Sequence, residues 1–313
     1  MKYIRAELHN HTTHSDGQLR VEQLLAYAAE NKFETLALTD HNTVSAHRPA
    51  FDFAQKEYPQ LSLVPGVEIT TFYGHILALG LRRMVDLTRL NPAAPGHFLQ
   101  TLHDAGAVAV GLAHPFCLGH PISEGCRMNL QEYNWELINY IEVANTSGPD
   151  AVLGNAQALA LWESLVLQGY RLAAVSGKDL HQLPTPQNVF LTYCISPEGA
   201  EGTQAERVLQ AILTQQTIVT KGPLFCTQAE DGSITVTFAP AALPLPKTTF
   251  LLVIQQSDGE SITYETDLCT PLKHTLAAGV TSAVIKVYQN SCTYENLLAV
   301  GAPLYCEKGE AQR

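Results

Sequence analysis

Leu8-His9-Asn10-His11-Thr12-Thr13-His14-Ser15-Asp16-Gly17 follows an apolar, β-prone run (Tyr3, Ile4, Ala6, Leu8) and precedes an amphipathic helical pattern that starts at Val21. This context places a His-x-His pair at the end of a strand and an aspartate in the loop after it. Residues i and i+2 of a strand project to the same side, so His9 and His11 can close on one ion. The polar loop from Thr12 to Gly17 brings Asp16 back over the same point. Alone, a His-x-His pair is as readily an ordinary surface pair.

Four more apolar runs each lead into ligand-type side chains. Leu36-Ala37-Leu38-Thr39 runs into Asp40-His41, and Leu61 to Val67 into Glu68, with Gly74-His75 just after. Ala107 to Ala113 runs into His114-Pro115, and Leu172 to Val175 into Ser176-Gly177-Lys178-Asp179-Leu180-His181. Imidazoles and carboxylates at the ends of successive strands, with helical patterns between them, describe the open mouth of an α/β barrel. Five clusters in register argue for a metal or catalytic centre where one would not.

At 313 residues, 46% of them hydrophobic, the chain can hold a barrel and a smaller module. Its net charge of −11 disfavours sequence-independent binding to nucleic acid or to an anionic membrane. The amino terminus reads as entering a strand without a secretory signal, and no apolar run approaches membrane-spanning length. The seven cysteines are odd in number and lack Cys-x-x-Cys spacing, so they read as mostly buried, reduced thiols of a cytoplasmic protein.

Helical spacing over 21–32, 46–58, the region around 98–105, 151–167 and 203–215 alternates with strand-like runs, which predicts parallel β/α units. About seven such units give a (β/α)₇-like barrel over residues 1–221. His75 to Leu81 reads as a hairpin partner of the strand carrying Glu68. From about Gly222 the helical patterns stop. Alternating strands at 233–238, 248–256, 261–266 and 282–288, with Asp-Gly turns at 231–232 and 258–259, predict a small antiparallel β-sandwich over 222–313.

His9-x-His11 with Ser15-Asp16-Gly17, Leu38-Thr39-Asp40-His41-Asn42-Thr43, Pro65-Gly66-Val67-Glu68, Ala113-His114-Pro115 and Ser176-Gly177-x-Asp179-x-His181 resemble the polymerase-and-histidinol-phosphatase (PHP) family over roughly residues 3–220. The segment from Gln216 to Pro223 and the β-rich remainder are similar to the branch that includes carbamate-insecticide hydrolases. The resemblance implies a distorted (β/α)₇ barrel and a trinuclear site that hydrolyses phosphoesters. Carried over residue by residue, His9, His11, Glu68 and Asp179 would hold a first metal. Glu68 would bridge to a second with His75 and His114, and Asp16, His41 and His181 would hold a third.

These nitrogen and oxygen donors suit zinc, manganese or iron. A hydroxide bridging two such ions would attack phosphorus, giving Glu68, Asp179 and His181 the catalytic roles. Asp40 would lie behind the ligands, where metal-bound imidazoles need an acceptor for their other N–H, or in the barrel wall. Arg127 and His120 lie where a phosphate clamp would be useful, and Asn145 is placed to reach the site by a hydrogen bond. Lys178 departs from the family pattern. It would either meet an anionic substrate or lie on the surface, and strand alternation directs it outward in the free protein. The reading is thus a cytoplasmic phosphoesterase for a small phosphorylated metabolite or nucleotide, with no membrane and no stable nucleic-acid partner. Its rivals are a carbamate, ester or amide hydrolase on the same site and a metal-stabilised binding domain without turnover.

Overall fold

The structure is a computed structural model that describes residues 1–118, 126–146, 151–186, 188–230 and 232–306. In chain order the first part contains β1 (Lys2–Glu7), α1 (Val21–Glu30), β2 (Thr35–Leu38), α2 (His47–Glu57), β3 (Ser62–Thr71) and β4 (Gly74–Leu79). It continues with α3 (Gly96–Asp104), β5 (Ala109–Leu112), β6 (Tyr140–Asn145), α4 (Ala151–Leu167), β7 (Ala173–Gly177), β8 (Leu191–Ser196), α5 (Gln204–Leu213) and β9 (Thr217–Thr220). The strands form one mixed sheet in the order β9-β8-β1-β2-β3-β4-β5-β6-β7. Pairing is parallel for β1/β2, β2/β3, β5/β6 and β6/β7. It is antiparallel for β8/β1, β8/β9, β3/β4 and β4/β5.

The regular run of parallel units is therefore interrupted, and the reason is local. β3 and β4 are joined by the two-residue turn Phe72-Tyr73, too short for a crossover. The hairpin anticipated between the Glu68 strand and residues 75–81 is present, with Thr70 opposite His75.

The sheet curls until β7 returns to β1. A parallel bridge joins Asn10 to Leu180, and side chains complete the seam. The Ser176 amide donates to Thr192 Oγ1 at 2.7 Å, and Thr217 Oγ1 donates to the Ala174 carbonyl at 2.7 Å. Inside the curl, alternate residues of the strands (Ile4, Ala6, Leu8, Leu77, Leu79) meet Val208, Ala211 and Ile212 of α5. One end of the curl is thus plugged by α5. That helix starts at Thr203, whose Oγ1 accepts from the Glu206 amide while the Glu206 carboxylate accepts from the Thr203 amide. The open end is where the strands terminate and the candidate ligands begin.

The remaining strands are β10 (Leu224–Glu230), β11 (Ser233–Ala239), β12 (Phe250–Gln256), β13 (Ser261–Thr266), β14 (Leu272–Thr275), β15 (Ser282–Gln289), β16 (Leu297–Val300) and β17 (Leu304–Tyr305). β16 pairs with β9, so the order β13-β12-β15-β16 extends the main sheet, while β10-β11-β14 form a separate three-stranded sheet. The period of two lets β12 serve two cores: Leu252 and Ile254 pack with Phe225, Ile234 and Val236, whereas Val253 faces the cluster of Trp162 and Leu159. Consequently α4 lies between β6 and β15. This accounts for its apolar residues on every side, which a surface helix would not carry.

No helix among the described residues is long and apolar enough to cross a membrane. All seven cysteines are free, but only Cys194 is buried, and Cys269 and Cys292 are exposed. The expectation of mostly buried thiols is corrected: the others lie in loops or on half-covered strands.

Candidate metal centre

His9 and His11 leave the end of β1 and are seated on the β1–β7 seam. The His11 amide donates to Leu180 O at 3.0 Å, and the Leu180 amide donates to His9 O at 3.3 Å. The rings converge as the His-x-His spacing predicts. His9 Nε2 lies 3.1 Å from Glu68 Oε2 and 3.3 Å from Asp179 Oδ1, and His11 Nε2 lies 3.2 and 2.9 Å from the same two oxygens.

Glu68, fully buried on β3, is the hub. Its Oε2 is also 2.9 Å from His41 Nδ1, and its Oε1 is 2.8 Å from His75 Nδ1 and 3.2 Å from His114 Nε2. Asp16 lies at the mouth, with Oδ1 3.5 Å from His41 Nε2 and 3.3 Å from His181 Nε2. All nine residues expected to be ligands therefore form one contiguous cluster.

Within it, three groups have ligand atoms within 4.8 Å of one another: His9/His11/Glu68/Asp179, His41/Glu68/His75, and His11/Asp16/His41/His181. The first is the set expected. The others differ in detail, because His41 and His11 each reach two groups, while His114 falls in none of the three and joins through Glu68 Oε1 at 3.2 Å and Asp179 Oδ2 at 3.7 Å.

Three non-glycine residues with positive φ lie in or beside the cluster. His114, Asp179 and Asn42, which follows His41, have φ of +26°, +50° and +50°. Non-glycine residues adopt such angles at a cost of about 1–3 kcal/mol, sustained when the surroundings over-determine them. Asn42 is pinned by its amide to Glu68 O at 3.0 Å and by its side chain to Thr70.

The donors fit a cation better than they fit each other. His9 Nε2, both ring nitrogens of His11 and Glu68 Oε2 are buried and lie close to charged partners, but none makes an aligned hydrogen bond. Buried polar groups left this way are costly unless something at the point of convergence satisfies them. The donor set, imidazole and carboxylate without thiolate, suits a divalent ion.

Charge explains how the metal-free chain tolerates this. Burial opposes ionisation of Glu68, yet the surrounding imidazoles, His9 foremost, hold its carboxyl well below the usual range. Asp179 behaves likewise through His9, His11 and His114. Burial pulls His11 and His114 down, but the adjoining Asp179 and Glu68 carboxylates raise both to about 9. With folded values above the ordinary 6.5, this stabilisation is full below about pH 6.5 and is lost as pH rises through about 9. Metal ligation needs neutral imidazoles, so loading at pH 7 should expel protons from His11 and His114, and from His9, which the same carboxylates raise. Titration calorimetry in buffers of different ionisation enthalpy would read this release, and its absence would mean that these imidazoles are already neutral or do not ligate.

Several expectations are corrected or refined. Asp40 is buried behind the ligands, and among the described residues its hydrogen-bond partners are not imidazoles. It accepts the Thr12 amide at 2.7 Å and the Thr12 and Ser15 hydroxyls, and so shapes the loop that presents Asp16. Lys178 is not a surface residue: it is buried, its amide donates to Glu7 Oε1 at 2.9 Å, and burial lowers its pKa. Asn145 is also buried, and its side chain donates to Glu142 Oε2 at 2.9 Å, behind the ligands rather than at the mouth. Arg127 is exposed, next to Met128, whose amide donates to Pro115 O; His120 lies outside the described residues.

His14 bonds Ser45 at the surface, while His47, His103 and His274 contact Gly66 O, Leu137 O and Tyr264, as structural histidines do. An open cavity lies at the other end of the curl, around Phe51, Leu61, Gly106 and Leu209, and no candidate ligand lines it.

The residue that sequence reasoning missed is Glu142, fully buried on β6, with Oε1 2.9 Å from His9 Nδ1. A signal was available. A carboxylate between Ile141 and Val143 in an otherwise apolar strand is expensive to bury unless it is partnered.

Residues 7–105 match the family model of the PHP domain, a span that includes His9, His11, Asp16, His41, Glu68 and His75. Over 79 residues, 24% of the chain, the sequence is 43% identical to the 5'-3' exoribonuclease Rnm of Escherichia coli. The Rnm of Salmonella typhimurium is 42% identical over the same length. The matched stretch spans only 27% of each relative. A two-domain protein from Bacteroides vulgatus containing a predicted PHP-like metal-dependent phosphoesterase aligns with 97% of this chain and 95% of its own. Its TM-score is 0.51 at 14% identity, a likeness of fold. The PHP-domain match thus spans six of the nine clustered donors, and the likeness to the Bacteroides vulgatus protein is one of fold.

Proposed function

We propose that this protein is a metal-dependent hydrolase of phosphate esters, acting on a small phosphorylated metabolite or nucleotide. The observation that carries this is the buried Glu68 carboxylate, shared on its two oxygens by imidazoles from both sides of the cluster. In this reading residues 1–221 form a distorted (β/α)₇ catalytic barrel flanked by a β-sandwich over 222–313. Up to three ions (zinc, manganese or iron) sit on the three donor groups. Bound ions would supply an activated water and neutralise charge on the phosphoryl oxygens.

The chain's own residues do the rest. Glu68 and Asp179 balance the ionic charge from within the wall. Asp16 and His181, the more exposed donors, face the substrate side, and Arg127 is an exposed cation available to a phosphate. The name of the Rnm relatives makes nucleotide esters the first substrates to test, while the net charge of −11 favours short ones over a retained polyanion. We place the activity in the cytoplasm, where the free thiols would stay reduced.

The test is a turnover screen of manganese-loaded protein against nucleoside monophosphates, short oligoribonucleotides, generic phosphodiesters and aryl carbamates. Phosphate esters should be cleaved. A chelator should abolish the reaction, and manganese, zinc or iron should restore it. Full turnover by protein shown to be metal-free would overturn the mechanism, and hydrolysis confined to carbamates would overturn the substrate class.

A further inference from the structure

We propose that Glu142 is a positioning residue that sets two metal ligands at once, His9 through its ring and His114 through its backbone. The proposal rests on the metal-centre reading above. Glu142 Oε1 lies 2.9 Å from His9 Nδ1, and Oε2 accepts the His114 amide at 2.9 Å and the Asn145 side-chain amide at 2.9 Å.

An ionised carboxylate only accepts hydrogen bonds, so His9 must carry its proton on Nδ1. With Nδ1 so engaged, Nε2, 3.1 Å from Glu68 Oε2 and 3.3 Å from Asp179 Oδ1, is the nitrogen left to meet a cation. On the other arm, the bond to the His114 amide holds that residue at a φ of +26°, which it would not adopt unaided. Glu142 itself is braced from α4: the Asn145 amide donates to Asn155 Oδ1 at 2.9 Å, and Asn155 Nδ2 donates to Asn145 O at 2.8 Å.

Space is made for this from the facing strand. A Cβ on Gly177 would stand 1.8 Å from Glu142 Oε1 and 2.6 Å from His9 Cβ, so only glycine leaves room for the pair.

Three measurements test this. In wild-type protein with ¹⁵N-labelled histidine, the His9 resonances should report Nδ1–H with Nε2 unprotonated once zinc is added. The opposite tautomer would overturn the proposal without any variant. Glu142→Gln sets an NH₂ either against His9 Nδ1 or against the two donors at Oε2, the His114 and Asn145 amides. It should weaken zinc binding roughly 10–100-fold, the usual effect of removing such a partner, as read by competition with a chromophoric chelator. Adding Asn145→Asp restores an acceptor opposite that NH₂ and should recover part of the loss.

Gly177→Ala, which crowds Glu142 without changing its charge, should also weaken zinc binding. Wild-type zinc affinity in folded Glu142→Gln protein, judged by circular dichroism, would overturn the proposal. These readouts do not depend on turnover. Wild-type protein that binds zinc with the stated tautomer but cleaves no phosphate ester would overturn the proposed function and leave this inference standing.

Discussion

Glu68→Gln should lower kcat by roughly a thousandfold or more, about 4 kcal/mol of barrier, and should strip metal from the centre. The substitution keeps the size of the side chain but removes its charge and replaces one acceptor oxygen with an NH₂. One oxygen of Glu68 meets His9, His11 and His41, and the other meets His75 and His114. The NH₂ must therefore face at least two imidazoles whatever the rotamer, and the groups on either side of Glu68 lose their common anion.

The metal-free protein should suffer as well. The carboxylate is part of what raises His11 and His114 to about 9, so without it protonated imidazoles would be left buried against less negative charge. Metal content by elemental analysis, kcat on the best phosphate ester and the melting temperature of the metal-free chain form the measurement. Wild-type metal content and turnover in a folded variant would show that Glu68 is not the hub of the site.

Trp162→Ala should cost about 3–5 kcal/mol of unfolding free energy from the cavity alone. Trp162 is fully buried on α4, and its Nε1 donates to Leu172 O at 2.9 Å, immediately before β7. Trp162→Phe keeps most of the ring but loses that donor, leaving a buried carbonyl unmet, and should cost about 1–3 kcal/mol. Urea unfolding of both variants reads the two effects separately. Because β7 leads to Asp179, the alanine variant should also show a weaker metal site. An alanine variant within about 1 kcal/mol of wild type would mean that α4 is not held as described.

The ligand set could be read from the sequence because each donor follows an apolar run, and such runs end where strands end. The pairing within the β3–β4 hairpin could be read for the same reason: Glu68 and His75 are too close in sequence for anything but a tight turn. Strand direction could not. β8 looks like any strand followed by a helix, yet it runs antiparallel to β1, with Tyr3 opposite Ile195. Alternation of strand and helix does not encode the sense of a strand that arrives by a long loop.

Lys178 reads from the sequence as meeting substrate or lying on the surface, and burial excludes the surface: the side chain is covered and its amide is tied to Glu7 Oε1, a partner far from it in sequence. Asp40 reads from the sequence as lying behind the ligands or in the barrel wall, because metal-bound imidazoles need an acceptor for their other N–H. Its actual partners, Thr12 and Ser15, are far from it in sequence and are brought together only by the fold.

β9 is a strand of four residues with neighbours on both flanks, β8 at Leu191–Cys194 and β16 at Ala299–Val300. A chain shortened to end soon after it would turn that interior strand into a bare margin, with unmet amides and carbonyls beside apolar Ile218 and Val219. Such margins recruit a second copy of themselves. Exchange of the carboxy-terminal segment between related genes is therefore constrained less by the metal cluster than by these few backbone groups. Any replacement segment must bring its own strand to cover them, or the product will polymerise before it can act.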